Sequence, residues 1–341
     1  MSWLGQLHAA DRTVETDWPA VLVTLRDFAC PSCQGHRVWR PIGGLVQRLN
    51  SYTGFAACRR CGERVFVKRI RRYPKVDPVE RAMREYRNAE SLHRALPADD
   101  RTGVARPLAA IDGVLVFAYV PGVPLSRALR GRTTEARRAI LASTGRWFAR
   151  FHLSDVDVEH GDPRFPSRLA HLREQCAALS VRYRSVSLAL ERLQSRLEAL
   201  EGRSFSLFLV HGDAKAENFL LSGNRVVAVD VDYRMRGPPE MDLAQFLVQM
   251  RVGRLPWEGV GRPDRRGEES SFLAGYACLR PFDREVLEWM ETYFTVWLWT
   301  CTRRSGFLRR LRADALFQTE LTALLDAFEA GEERFGHCRV R

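Results

Sequence analysis

Between residues 20 and 70, apolar and polar positions alternate in short bursts: VLVTLRDFAC (21–30), HRVWRPI (36–42), TGFAAC (53–58) and ERVFVKRI (63–70). Turn residues separate them, and the pattern predicts strands. The period changes at Asp77. From there to Leu96 the residues Ala82, Tyr86, Ala89, Leu92 and Leu96 recur at helical spacing and predict one buried face. The turn-rich PADDRTGVARP then leads to a strand, VLVFAYV at 114–120, which stops at Pro121-Gly122. Beyond it helical spacing dominates, over 133–153, 166–202, 239–252 and 283–301. Only FSLFLVHGD (205–213) and RVVAVDV (225–231) read as β there, and GVGRPDRRGEESS (259–271) reads as an exposed loop. The order predicts an α+β chain, with a small β-rich part over 1–120 and a larger helical part over 121–341.

The length of 341 residues suits roughly two lobes at about 150 residues each. A hydrophobic share of 45% with 28% charged residues excludes general disorder. No apolar run approaches the ~18–20 residues of a membrane span. The opening MSWLGQLHAADRT has neither the basic nor the apolar region of a secretory signal, which predicts a cytoplasmic protein. The formal charge is +12, and arginine clusters in KRIRRYPK (68–75) and RRSGFLRRLR (303–312). Such clusters suit nucleic acid, an anionic membrane face or phosphorylated substrates, and equally an ordinary solvated surface. Charge alone does not choose a partner.

Four of the eight cysteines form two CxxC pairs, Cys30–Cys33 and Cys58–Cys61. Each short spacing lets two sulfurs reach one ion from a tight turn, and four thiolates suit tetrahedral zinc. A redox dithiol or a pair of disulfides is the competing reading, disfavoured in a reducing compartment. A zinc ion so held would be structural, because its coordination sphere is closed. Cys176, Cys278, Cys301 and Cys338 stand alone and read as buried small hydrophobes.

The chemistry concentrates in LVHGDAKAENFLLSGNRVVAVDVDYRMRGPPEMDLA (209–244). Phosphoryl transfer from ATP needs a carboxylate at the attacking hydroxyl, and an amide and a second carboxylate on magnesium. Asp213 fits the first role. Asn218 follows it by five residues, and an apolar hairpin ends at Asp230, so these two fit the magnesium roles. HGDxxxxN followed by an apolar strand and Asp resembles the signature of the protein-kinase-like phosphotransferases, and Asp242 in MDLA matches their Asp that supports the catalytic loop. The variant HGDAKAENFLL…VAVDVDYRMR is similar to bacterial lipopolysaccharide-core sugar kinases. Lys215 matches the Asp-x-Lys-x-x-Asn form of Ser/Thr protein kinases, where a lysine neutralises charge on the transferring phosphate. A second HGD, at His160–Asp162, lacks the following Asn and hairpin and reads as a loop; His152 reads as a packed or capping histidine.

The resemblance spans about 65–320 and implies a two-lobed kinase-like fold. It implies that Lys68 grips the nucleotide phosphates and that Glu85, in REYRNAESLHRAL, is its ion-pair partner, with Glu90 the rival on the same helix. It makes LVFAYVPGVPL (115–125), which contains Tyr119, the strand where adenine binds. Two departures stand out. No GxGxxG precedes Lys68, where Gly43-Gly44 and Gly54 are the only local candidates for a phosphate-covering loop, and the CxxC pairs occupy the first strands of the small lobe. The implied cofactors are ATP and Mg²⁺, beside structural Zn²⁺. The implied acceptor is a hydroxyl, foremost on an anionic glycolipid or sugar at the inner face of the membrane. Aminoglycoside-type and protein Ser/Thr kinases are the alternatives within the class, though the Asp230–Asp242 interval is too short for a regulated activation loop. Outside the class stands a zinc-containing pseudokinase or nucleic-acid-binding module, drawing on arginines interleaved with Trp289, Tyr293, Trp297, Trp299 and Phe307. A helix packing these aromatics inside is the simpler reading.

Overall fold

The structure is a computed structural model that describes residues 12–14, 18–48, 50–71, 77–96, 99, 101–155, 157–231, 235–252, 265–302 and 307–329. The side chains of 12–14, 307–313 and 328–329 are not among those described. Much of both arginine clusters, Gly259–Gly261 and Cys338 therefore lie outside the described residues. In chain order the elements are β1 (Arg12–Val14), α1 (Trp18–Thr24), β2 (Trp39–Gln47), β3 (Ser51–Cys58), β4 (Arg64–Ile70), α2 (Pro78–Ala95), β5 (Thr102–Val104), β6 (Pro107–Ile111), β7 (Val114–Ala118), β8 (Val123–Pro124) and α3 (Leu125–Ala128). They continue with α4 (Thr134–Leu153), β9 (Glu159–Gly161), α5 (Phe165–Arg182), α6 (Arg184–Leu200), β10 (Phe205–Val210), β11 (Phe219–Ser222), β12 (Arg225–Ala228) and β13 (Met235–Gly237). Helices α7 (Glu240–Val252), α8 (Arg265–Ala277), α9 (Arg284–Thr302) and α10 (Phe307–Glu329) complete the chain. The content is α+β, and the chain divides into two compact units.

The first unit comprises 1–98, 103–122 and 227–232. Its sheet is antiparallel, in the order β1-β2-β3-β4-β7-β6. Strand β4 alternates as a sheet buried on both sides must. Val65 and Val67 join a core with Trp18, Val21, Leu25, Leu45 and Ala56, whereas Ile70 packs with Ala82 of α2. Helix α2 forms where its spacing predicts. Pro78 opens it, and the Asp77 carboxylate accepts the Val79 N–H (2.8 Å), so one orphan donor of the first turn is satisfied. The segment 21–30 departs from expectation: it begins in a helix, not a strand. Trp18, Val21 and Leu25 are spaced for a helical face and are buried, and that packing overrides the β-branched character of VLVT.

The second unit comprises 99–102, 123–226 and 233–341. Helices α4 and α8 touch through glycines. A Cβ on Gly145 would lie 2.0 Å from the Phe272 carbonyl oxygen, and one on Gly275 would lie 2.0 Å from that of Ala142. Gly275→Ala is expected to cost about 3 kcal/mol, because backbone cannot retreat as a flexible side chain can. A urea unfolding midpoint unchanged from wild type would contradict this packing.

Four further expectations are corrected here. The stretch 166–202 is two helices, because Tyr183 is extended (φ −125°, ψ 109°) and donates its hydroxyl to Asp314 (2.8 Å). The described part of 259–271 is helix α8, and Glu268 and Glu269 are buried. Their charges are paired inside: Glu268 with Arg137 (2.7 Å), and Glu269 with Arg251, which also pairs with Glu291 (2.8 Å). The arginines hold the Glu269 carboxyl at about 2 against the opposing effect of burial. His160-Gly161 is strand β9, pairing with the start of β10, not a loop. Trp289, Tyr293 and Trp299 are buried, and Trp299 donates its indole N–H to Asp314, so these three belong to the core; Trp297 is half-buried, and the Phe307 side chain lies outside those described. Among the lone cysteines Cys176 and Cys301 are buried, but Cys278 is exposed.

Candidate active site and cysteine centre

In the first unit, strand β4 and helix α2 bring Lys68 and Glu85 together. The Lys68 Nζ lies 2.9 Å from one Glu85 oxygen, while Arg81, one helical turn earlier, donates to the other at 2.7 Å. Lys68 also donates to Asp230 at 2.5 Å. Asp230 sits just past β12 with φ +59°, a left-handed conformation rare outside glycine. Burial lowers the pKa of Lys68, but the Asp230 and Glu85 charges outweigh this and hold it above the usual lysine range. Glu85 is likewise kept ionised, with Lys68 and Arg81 overcoming its burial. Glu90 pairs instead with Arg94 (3.2 Å) and accepts from Tyr86. Arg81 escaped the sequence reading, though its i−4 offset from Glu85 is a readable signal. Glu85→Gln is expected to raise the KM for ATP roughly tenfold, about 1.4 kcal/mol, and Glu90→Gln to leave it unchanged. Equal effects in steady-state assays with ATP varied would contradict the pairing's role.

Tyr119 follows the end of β7, half-buried. Its ring meets Phe55 edge-on at 5.7 Å and carries the Arg64 guanidinium 5.6 Å from its centroid.

In the second unit, β10 delivers His211-Gly212-Asp213 and a 3-10 turn over 216–218 delivers Asn218. Asp213 is paired with Lys215 (2.5 Å). The Asn218 amide donates to the Asp213 carboxylate (3.1 Å) and to its backbone carbonyl (2.9 Å). Both donations come from the amide nitrogen, so the carbonyl oxygen takes no part in them.

The loop is fastened from below by α7. Asp242 accepts the backbone N–H groups of His211 (2.7 Å) and Gly212 (3.0 Å), and Gln245 accepts that of Ala214 (2.9 Å). His152 of α4 is fully buried between Asp242 (3.1 Å) and the Tyr276 hydroxyl (3.0 Å). Burial pushes its pKa down, so one neutral tautomer fits: Nε2–H donates to Asp242 and Nδ1 accepts from Tyr276. Gln245 and Tyr276 had no motif to announce them; Gln245 is detectable only as the residue three beyond Asp242 on one helix.

The four cysteines of the first unit also converge. Their sulfurs lie within 4.8 Å of one another, with Cys30 to Cys61 at 3.5 Å and Cys33 to Cys58 at 3.6 Å. Burial opposes ionisation of Cys58, yet the N–H groups of Cys61 and Arg60 bring it to about 7. For Cys61 the Glu63 N–H favours the thiolate, but burial and the neighbouring sulfurs push it up to about 12. As thiolates the four sulfurs could serve together as ligands of one metal ion.

Residues 46–285 match the phosphotransferase enzyme family (APH). The chain belongs to this family. No curated protein matches it in sequence. Among solved structures the phosphotransferase is similar to choline kinase from Cryptosporidium parvum Iowa II, at 13% identity and TM-score 0.61, over 92% of this chain and 97% of that one. It is also similar to the amicoumacin kinase hAmiN in complex with AMP-PNP, Ca²⁺ and Ami (16%, TM-score 0.55, 95% and 96%). A choline/ethanolamine kinase family protein from Mesorhizobium loti gives 18% and 0.53 over 92% and 96%. At these identities the likeness concerns the fold, and the fold is that of kinases acting on hydroxyl groups. No helix of the described residues is long and apolar enough to cross a membrane.

Proposed function

We propose that this phosphotransferase moves the γ-phosphate of Mg·ATP to a sugar hydroxyl, foremost on a lipopolysaccharide-core-like anionic glycolipid. The observation that carries the transfer step is the Asp213 carboxylate, oriented by Lys215 and Asn218 on a loop whose backbone is tied to Asp242. Asp213 aligns the acceptor hydroxyl and takes its proton as the oxygen attacks phosphorus. Lys215 then balances charge on the transferring phosphoryl group. Lys68, kept cationic by its two carboxylate partners, takes the nucleotide phosphates, and Asn218 and Asp230 supply oxygen ligands for magnesium. Bound magnesium neutralises charge on the phosphates. The backbone beside Tyr119 receives the adenine edge. Zinc has no part in the reaction, since four thiolates leave no open position.

The acceptor class is supported by the REYRN and HGDxKxxN segments and by the net charge of +12, which favours an anionic substrate and contact with an anionic membrane face. A second reading, a kinase of amino alcohols or antibiotics, is favoured by the fold neighbours, which include a choline kinase and an amicoumacin kinase. Nucleic acid loses support with the burial of Trp289, Tyr293 and Trp299. The test is ADP release from Mg·ATP by the full-length protein with lipopolysaccharide core, choline, ethanolamine, an aminoglycoside or a Ser/Thr peptide. Stimulation by the core sugar alone supports the first reading, and stimulation by a cationic small molecule replaces it with the second.

A further inference from the structure

The cysteine centre lies partly outside the family's boundaries. The match begins at residue 46, so Cys30 and Cys33 belong to an added segment, whereas Cys58 and Cys61 sit in the turn between β3 and β4, inside the match. The two CxxC turns are built alike. Gln34 N–H returns to the Cys30 carbonyl (2.8 Å) and Gly62 N–H to the Cys58 carbonyl (3.0 Å). The fourth residue after each first cysteine is left-handed, Gln34 at φ +55° and Gly62 at φ +78°. An Arg60 N–H points at the Cys58 sulfur (3.4 Å), as amides do in metal-binding turns. The shortest sulfur approaches, 3.5 and 3.6 Å, cross from one turn to the other. With Zn–S bonds of about 2.3 Å, a tetrahedral site has S···S edges of about 3.8 Å. All four sulfurs lie within 4.8 Å of one another, close enough to share one such site.

The turn it grips determines where Lys68 points. Cys58 N–H closes on the Glu63 carbonyl (2.7 Å), and the ladder then runs Ala57 opposite Arg64 through to Thr53 opposite Lys68. Side chains alternate along a strand, so a slip of one residue would turn Lys68 away from α2 and Glu85. The second turn is tied to the first by the Ser32 hydroxyl, which donates to Glu63 (2.7 Å), and by the Arg59 N–H, which donates to the Val38 carbonyl (2.7 Å), so the two turns are placed together.

We propose that the four cysteines bind one zinc ion that locks the register of β4, so that zinc and nucleotide bind with positive coupling; the coupling rests on the nucleotide role given to Lys68. The test uses the full-length protein and zinc competition against a chromophoric chelator, with and without Mg·AMP-PNP. The expected result is one zinc per chain in wild type and in Cys278→Ser, loss of it in Cys61→Ser, and a tetrahedral thiolate spectrum on cobalt(II) substitution. Because Cys61→Ser can also fail to fold, the coupling is read in wild type alone: Mg·AMP-PNP tightens zinc roughly tenfold, and zinc tightens Mg·AMP-PNP by the same factor. No bound zinc, or an octahedral cobalt spectrum, overturns the centre. Zinc affinity indifferent to nucleotide that demonstrably binds overturns the register lock. Stoichiometric zinc in a protein that binds no nucleotide overturns the coupling and the Lys68 reading together, and leaves the centre standing.

Discussion

Asp213→Asn is expected to bind Mg·nucleotide as wild type does while turnover falls by roughly 10³-fold or more. The substitution keeps the shape of the side chain and its contact with the Asn218 amide, but it removes the negative charge to which we assign the orientation and deprotonation of the acceptor. Proton transfer by a positioned group is worth about 10²–10⁴ in rate. Lys215, 2.5 Å away, loses its counter-charge in the same step, which adds to the loss. Calorimetric titration with Mg·AMP-PNP beside initial-rate measurements separates the two quantities. Equal turnover would remove Asp213 from the reaction, and lost nucleotide binding would show that it serves the ground state.

Asp242→Ala carries the largest expected cost in stability, about 3–5 kcal/mol. The carboxylate is wholly buried and accepts from two backbone N–H groups and from His152. Alanine would leave these donors unpaired, and the loop bearing Asp213 would lose its floor. Asp242→Asn keeps one acceptor oxygen and should lose less. Alanine at the exposed Asp326 of α10 should change nothing. Urea unfolding of the three variants checks the order, and an Asp242→Ala midpoint equal to that of wild type would contradict the assigned network.

The sequence exposes what is local. Helix α2 is legible because its cap, its proline and its apolar face all lie within twenty residues. The HGD…N…D run is legible because one loop and one hairpin carry it. What is hidden depends on partners far along the chain. Glu268 and Glu269 look solvated until Arg137 and Arg251 arrive to pair with them. Helix α1 is masked by its β-branched residues, and the packing of Trp18, Val21 and Leu25 against Leu45 and Val65 overrules their local preference. Arg81 and Gln245 act through Glu85 and the catalytic-loop backbone, so no motif marks them. The choice between Glu85 and Glu90, open in the sequence, follows in the structure from which helix face meets β4.

The central claim is phosphoryl transfer to a hydroxyl. Its most direct test is γ-labelled Mg·ATP incubated with a cell extract and either wild type or Asp213→Asn, followed by separation into glycolipid, protein and small molecules. Label that enters the glycolipid fraction with wild type and not with the variant is the predicted result. Absence of Asp213-dependent label from every fraction, by a protein that binds ATP, would contradict it.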